Sequence, residues 1–267
     1  MTVTNSTKSA GKALNASAVF WFLTAVIGQW LFVYYIIIHY GSSAIQGDME
    51  TYSKSTIAGH VKGDLVGNLF FGAHVLMAAV ITLGGTFQLV PQIRARYIKF
   101  HRWNGRLFIV TAILMGIGGL YLVWIRGATL TLFGSIAITI NALLMILFSV
   151  LAWKTAMARR IMEHRRWALR TFLMVNGVWF FRVGFMAWII LNQGPLGSTD
   201  QLDGPFDMVW AFANFLIPLA VLELYLYTQK HAGSKGKYAM SIGLCLLTLV
   251  MAIGIFGAFM FMWKPLL

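Results

Sequence analysis

The chain has 267 residues, of which 59% are hydrophobic and only 11% charged, with a mean hydropathy of +0.74. A soluble domain carries about 25% charged residues, and too little polar material is present here to cover a water-facing surface. The 21 Lys and Arg against 8 Asp and Glu do not point to nucleic acid, because the basic residues fall in short loops between apolar runs and read as topology determinants. The single cysteine, Cys245, excludes an intrachain disulfide, a thiolate metal cluster and a CxxC redox motif. What remains is an all-α polytopic membrane protein, one transmembrane domain over residues 1–267, whose first partner is the lipid bilayer.

Seven stretches are long and apolar enough to cross a hydrocarbon core, which takes about 20 helical residues. In chain order they are Ala18–Ile38, Leu65–Val90, Leu107–Ile125, Ala128–Trp153, Thr171–Leu191, Met208–Leu226 and Tyr238–Trp263. The first exceeds a signal-peptide apolar region and has no clear small-residue cleavage site after it, so it reads as a retained helix. One side of the seven spans carries sixteen Lys and Arg, from Lys8 and Lys12 through the Arg94–Arg106 and Lys154–Arg170 segments to Lys230, Lys235 and Lys237. The other side carries Lys54, Lys62, Arg126 and Lys264, together with Asp48, Glu50, Asp64, Asp200, Asp203 and Asp207. The basic side is expected in the cytoplasm, which makes the N-terminus inside and the C-terminus outside. The polar stretches Gly41–Lys62 and Asn192–Asp207 are too short for separate domains, and the second reads as turns around Gly194-Pro195 and Gly204-Pro205. No nucleotide-binding loop, HExxH or GxSxG occurs, which disfavours ATP-driven transport by this chain alone and those two hydrolase chemistries.

Ionisable groups inside apolar spans are costly and are the default functional candidates. His74 lies ten residues past Asp64, about 15 Å along a helix and so near the bilayer midplane. Gly67, His74, Ala78, Ile81, Gly85 and Gln88 share one helix face, where small residues permit a close helix contact or a flat cofactor. A neutral histidine hydrogen-bonded across a packed interface is the alternative. The motifs His101-Arg102-Trp103-Asn104-Gly105-Arg106 and His164-Arg165-Arg166-Trp167-Ala168-Leu169-Arg170 open two spans from the same side. They hint at a parallel repeat that sets two imidazoles at similar depth, although Arg and Trp there also fit ordinary interfacial anchoring. Arg182 is expected on the His164 face of one continuous helix near the outer boundary. There it either pairs with Asp64, Asp203 or Asp207 or contacts an anionic substrate. Glu223 is expected to pair with an inner arginine, and Asn141, Asn176, Asn214 and Pro218 to serve packing and a kink.

The run His74…Gly85…Gln88…Pro91…His101-Arg102…Gly105-Arg106, followed by His164-Arg165-Arg166-Trp167…Arg170 and Arg182, resembles a known family over about residues 64–191. The family comprises predicted bacterial membrane proteins and is catalogued as domain of unknown function 2306. The resemblance implies a multi-helix fold in a bacterial inner (plasma) membrane. It marks His74, His101, Arg102, Gly105, Arg106, His164, Arg165, Trp167 and Arg170 as family positions without giving them roles.

Three functions follow as expectations. The first is redox, with haem b or quinone held between helices. Haem b asks for imidazoles on facing helices, small residues for the ring and basic groups for the propionates. His101 and His164 are the candidate ligands, with Arg102, Arg106, Arg165 and Arg170 around them; His74, on the face it shares with Gln88, is the candidate for a quinone or metal deeper in. No span carries the paired histidines of membrane di-haem cytochromes, which weighs against haem. The second is transport of a small anionic or lipidic ligand by way of His74 and Arg182. The third is an accessory or assembly subunit of a larger membrane complex.

Overall fold

The computed structural model describes residues 5–48, 51, 56 and 59–267, so Glu50 and Lys54 lie outside the described residues. With no water in hydrocarbon to take backbone polar groups, a run that is apolar on every face can satisfy them only as a helix. The structure is 85% helix, with no strand among the described residues.

Helix α1, Asn5–Ile36, passes through a π-helical turn at Ile37–Gly41 into the short α2, Ser42–Gln46, which ends at Gly47 in the left-handed region (φ 73°). Helix α3, Leu65–Leu89, starts at Asp64, whose carboxylate accepts from the Gly67 N–H at 2.8 Å. Pro91 ends it and opens α4, Pro91–Arg96, which turns the chain into α5, Ile98–Trp124. Helix α6, Leu132–Met157, is capped by Thr131, which accepts from the Gly134 N–H at 3.0 Å. Then come α7, Ile161–Val175, and α8, Gly177–Leu191, followed by α9, Pro205–His231, and α10, Ser234–Gly257. A second π-helical turn, Ala258–Trp263, extends α10.

Among the described residues, six helices are long and apolar enough to cross a membrane, or seven when α7 and α8 count as one broken span. The seven expected stretches all fall on these elements, with shifted ends. The first helix begins at Asn5 rather than Ala18, and α5 begins at Ile98, so the His101–Arg106 motif lies inside its first turns. One difference is of kind. Thr171–Leu191 is not a straight helix, because α7 and α8 meet at 59°. Hydropathy does not register the bend, since Phe172–Val175 just before it and Val178–Phe181 just after it are all apolar. The break is made by hydrogen bonds: Asn176 Nδ2 donates to the Phe172 carbonyl at 2.7 Å, and Asn176 Oδ1 accepts from Gln29 Nε2 at 3.0 Å. The expected placement of Arg182 on the His164 face is therefore corrected, as the two residues sit on helices with different axes.

Around the bundle, α1 packs on α10 and α3, α3 on α5, α5 on α6, and α6 on α7, while α8 packs on α10 and α9. Lipid supplies no hydrophobic drive between helices, so close approach and interhelical bonds hold them. Where α10 crosses α8, a Cβ on Gly254 would run into the Val183 carbonyl. At the acidic end, Arg126, with a side chain only 4% exposed, donates to the Gly67 carbonyl and Asn68 Oδ1 and pairs with Asp64 at 3.6 Å. It ties the α5–α6 loop to the start of α3. Gly254→Ala is expected to cost about 1–3 kcal/mol by overpacking, read as a lower thermal midpoint in detergent. Gly243→Ala, where a Cβ meets nothing within 4 Å, should not lower the midpoint.

Candidate functional site

The bend at Asn176 leaves a cavity of about 140 Å³ bounded by the first helix, α3, α5 and the α7–α8 break. His74 of α3 and Arg182 of α8 both line it, with Phe32 and Tyr35 from α1 and with Trp179. The histidine and the arginine singled out separately in the sequence thus share one site.

Arg182 is half-buried, with its guanidinium carbon 5.3 Å from the Phe32 ring centroid. It makes no ion pair among the described residues. The expected pairing with Asp64, Asp203 or Asp207 is not what forms. Asp64 is taken by Arg126, and Asp203 bonds Thr199 within its own turn. The buried Asp207 accepts from Ser198 Oγ at 2.6 Å and from the N–H groups of Thr199 and Gly204 at 3.0 and 3.1 Å. The acidic loops satisfy themselves, and the bend leaves Arg182 on the cavity wall.

His74 lies against α5 at two glycines. A Cβ on Gly118 would sit 3.4 Å from its Nδ1, and one on Gly119 would sit 3.7 Å from its Cε1. Its Nδ1 is buried with no hydrogen-bond partner among the described residues. A histidine hydrogen-bonded across a packed interface is therefore not what Nδ1 shows. The indole N–H of Trp179, a residue only 1% exposed, is buried without a partner as well. His74, Trp179 and Arg182 thus line one void, and among the described residues the first two each keep a buried nitrogen without a partner and the third forms no ion pair. Val178, 57% exposed, also lines the cavity, which places part of its rim on the lipid-facing surface.

The glycines that seat His74 belong to α5, not to its own face. On that face Gly85 admits the Phe108 and Phe172 rings, at 2.9 and 3.2 Å from a built Cβ, and Gly67 N–H is taken by the Asp64 cap. Gly116-Ile117-Gly118-Gly119 is a legible cluster of small residues in mid-span, and it is the signal that could have located the seat. Tyr35 and Trp179 carry no such signal, because one aromatic among many in an apolar run has nothing to distinguish it.

The second group of candidates gathers at the basic end. His101 and His164 are half-buried and within electrostatic reach of each other, with Arg94 and Arg102 also beside His101. His164 Nδ1–H donates to the Ala152 carbonyl at 2.9 Å, which orients the ring and leaves Nε2 without a hydrogen-bond partner among the described residues. His101 Nδ1 is buried without a partner among the described residues. Gln88 belongs to this end rather than to the His74 cavity, donating from Nε2 to the His101 carbonyl at 2.9 Å and joining α3 to α5. In both motifs the arginine three residues after the tryptophan stacks on it: Arg106 over Trp103 at 4.9 Å, Arg170 over Trp167 at 4.4 Å. The sequence repeat thus has a repeated local geometry. Arg170 is further held by Glu223 through two bonds of 2.7 and 2.8 Å, while Arg102 and Arg165 are exposed. Among the described residues no three His, Cys, Asp or Glu side chains come together as a metal site.

Six or seven membrane-crossing helices among the described residues, around a largely apolar cavity that His74 and Arg182 also line, define a multi-pass integral membrane protein. The chain belongs to the DUF2306 family of predicted membrane proteins, whose profile matches residues 71–226. That segment holds His74, both His-Arg motifs, Arg182 and Glu223, whereas the walls contributed by α1 lie outside it. No curated protein and no solved structure matches the chain.

Arg170→Ala and Glu223→Ala should each destabilise the protein, with a coupling of about 0.5–1 kcal/mol in a double-mutant cycle of detergent unfolding. Additive effects would mean that the two-bond contact contributes nothing to stability.

Proposed function

We propose that the chain is a quinone-binding protein of the cell inner membrane and that the quinone ring occupies the His74–Arg182 cavity. One observation carries this reading: His74, Trp179 and Arg182 line a single small void, and among the described residues His74 Nδ1 and the Trp179 indole N–H have no hydrogen-bond partner and Arg182 forms no ion pair. Buried donors are costly to leave unpaired, so a site that gathers several of them favours a ligand with acceptors. A quinone offers two carbonyl oxygens on a flat six-membered ring. A void of about 140 Å³ suits one such ring, and the rings of Phe32 and Trp179 supply apolar wall. The exposed Val178 at the rim provides a way for an isoprenoid tail to remain in lipid. A porphyrin is far too large for this cavity.

A second reading concerns the basic end, where haem b would sit between His101 and His164. The His164 Nδ1 bond to a backbone carbonyl fixes its ring with Nε2 free, the orientation typical of metal-ligating histidines. Arg102, Arg106 and Arg165 would then face the propionates. Electrons would reach the quinone from such a haem or from a partner chain in the same membrane.

Organic extracts of the detergent-purified protein should contain close to one quinone per chain. His74→Leu and Arg182→Leu should each weaken binding of a short-tailed quinone about tenfold or more, by loss of a hydrogen bond to a polar or charged donor; His101→Ala should leave it unchanged. Affinity untouched by both cavity variants would sink the quinone assignment. For haem, the oxidised and dithionite-reduced spectra decide: a Soret band lost in His101→Ala and His164→Ala supports it, and a featureless spectrum removes it.

A further inference from the structure

A groove of about 520 Å³ runs between α1 and α10 on the outer surface of the bundle, apart from the His74 cavity. Ala13, Ala16 and Phe20 form one wall, and Ile242, Cys245 and Leu246 form the other. Its two serines are turned to their own helices: Ser17 Oγ donates to the Leu14 carbonyl at 3.0 Å and Ser241 Oγ to the Lys237 carbonyl at 2.7 Å. The groove is therefore apolar along its length. From Tyr238 to Leu246 it spans nine residues of α10, about 12 Å of depth.

Its upper end is polar and basic. Tyr238 Oη donates to Ser9 Oγ at 3.0 Å across the two helices. Lys12 lies one turn before Ala16, and Lys235 one turn before Tyr238, so each lysine heads the groove side of its helix. Both are exposed, and neither forms an ion pair among the described residues. Only two carboxylates belong to this end of the bundle, Glu163 and Glu223, and they are paired with Arg160 and Arg170. The lysines at the groove therefore have no protein counter-charge.

We propose that this groove binds an anionic phospholipid, with the phosphate-bearing head at Lys12 and Lys235 and an acyl chain along the Ala13–Cys245 channel. Basic pockets between transmembrane helices suit anionic headgroups, and an uncompensated lysine pair over an apolar slot matches both parts of such a molecule. A second copy of the chain is a poorer occupant. Two copies in one membrane share an orientation, and a two-fold contact through this face would set lysines against lysines.

The test adds phosphatidylglycerol or phosphatidylcholine to delipidated full-length protein and reads bound lipid by native mass spectrometry and the thermal midpoint. One phosphatidylglycerol should bind per chain with about 30-fold preference over phosphatidylcholine, as two lysines at a membrane surface imply. Lys12→Glu with Lys235→Glu should erase the preference without lowering the lipid-free midpoint. Ala16→Trp, which fills the slot, should abolish binding of both lipids; should that variant fail to fold, the lysine pair decides alone. Equal binding of the two lipids, or a preference that survives the lysine substitutions, overturns the proposal. So does efficient Cys245–Cys245 crosslinking between copies in native membranes, which would put a second chain in the groove.

Discussion

In hydrocarbon every backbone N–H and C=O must find its partner inside the protein, so a spanning helix can break only where side chains take over the lost bonds. Asn176 does this here. In a continuous helix the Phe172 carbonyl would accept from the Asn176 backbone N–H; instead it accepts from the Asn176 side chain at 2.7 Å, while the N–H goes to Leu173 at 3.2 Å. Gln29, fully buried in α1, holds the other end of that amide across the bundle. A single interhelical bond in a membrane protein contributes on the order of 1 kcal/mol. From this one bend follow the cavity, the presence of Arg182 on its wall, and the absence of Arg182 from the acidic loops.

The two ends of the bundle handle their charges in different ways. At the acidic end most charge is used internally: Asp64 with Arg126, Asp207 with backbone N–H groups of its own loop. These contacts fasten loops to helix starts and leave little for a ligand. At the basic end cations greatly outnumber carboxylates, so only Arg160 and Arg170 find carboxylate partners among the described residues. Arg106 settles on a neighbouring tryptophan face. Charge that the chain does not neutralise is left for lipid headgroups or for acidic ligands, which is why both the haem reading and the phospholipid groove belong to this end.

His74 and the pair His101–His164 illustrate how far local pattern reaches. His74 is conspicuous in sequence because imidazoles are costly in apolar spans, and His101 and His164 because each opens a span in a repeated His-Arg motif. Their neighbours are not. Gln88 lies on the His74 face of α3, yet its amide serves the α3–α5 join at the basic end, since fourteen residues carry it well along the helix axis. Gly118 and Gly119 seat His74 from another helix, and Tyr35 and Trp179 come from two more. A site assembled from four helices shares no sequence spacing for a periodicity argument to detect.

By itself, the sequence determined what depends on composition and on position along a chain. Hydropathy over windows of membrane length set the helices, their number and their order, because lipid permits only closed hydrogen-bonding elements. The distribution of lysine and arginine set which ends lie together, and the Trp-x-x-Arg spacing set the two stacked pairs, since residues one turn apart meet on any helix. Tertiary structure alone decided the break at Asn176, the pairing of Arg126 rather than Arg182 with Asp64, and the meeting of His74 with Arg182. Each of those outcomes turns on which helix stands beside which. That choice is made by packing and by a few interhelical bonds such as Gln29–Asn176, between residues 147 positions apart, and local pattern carries no record of it.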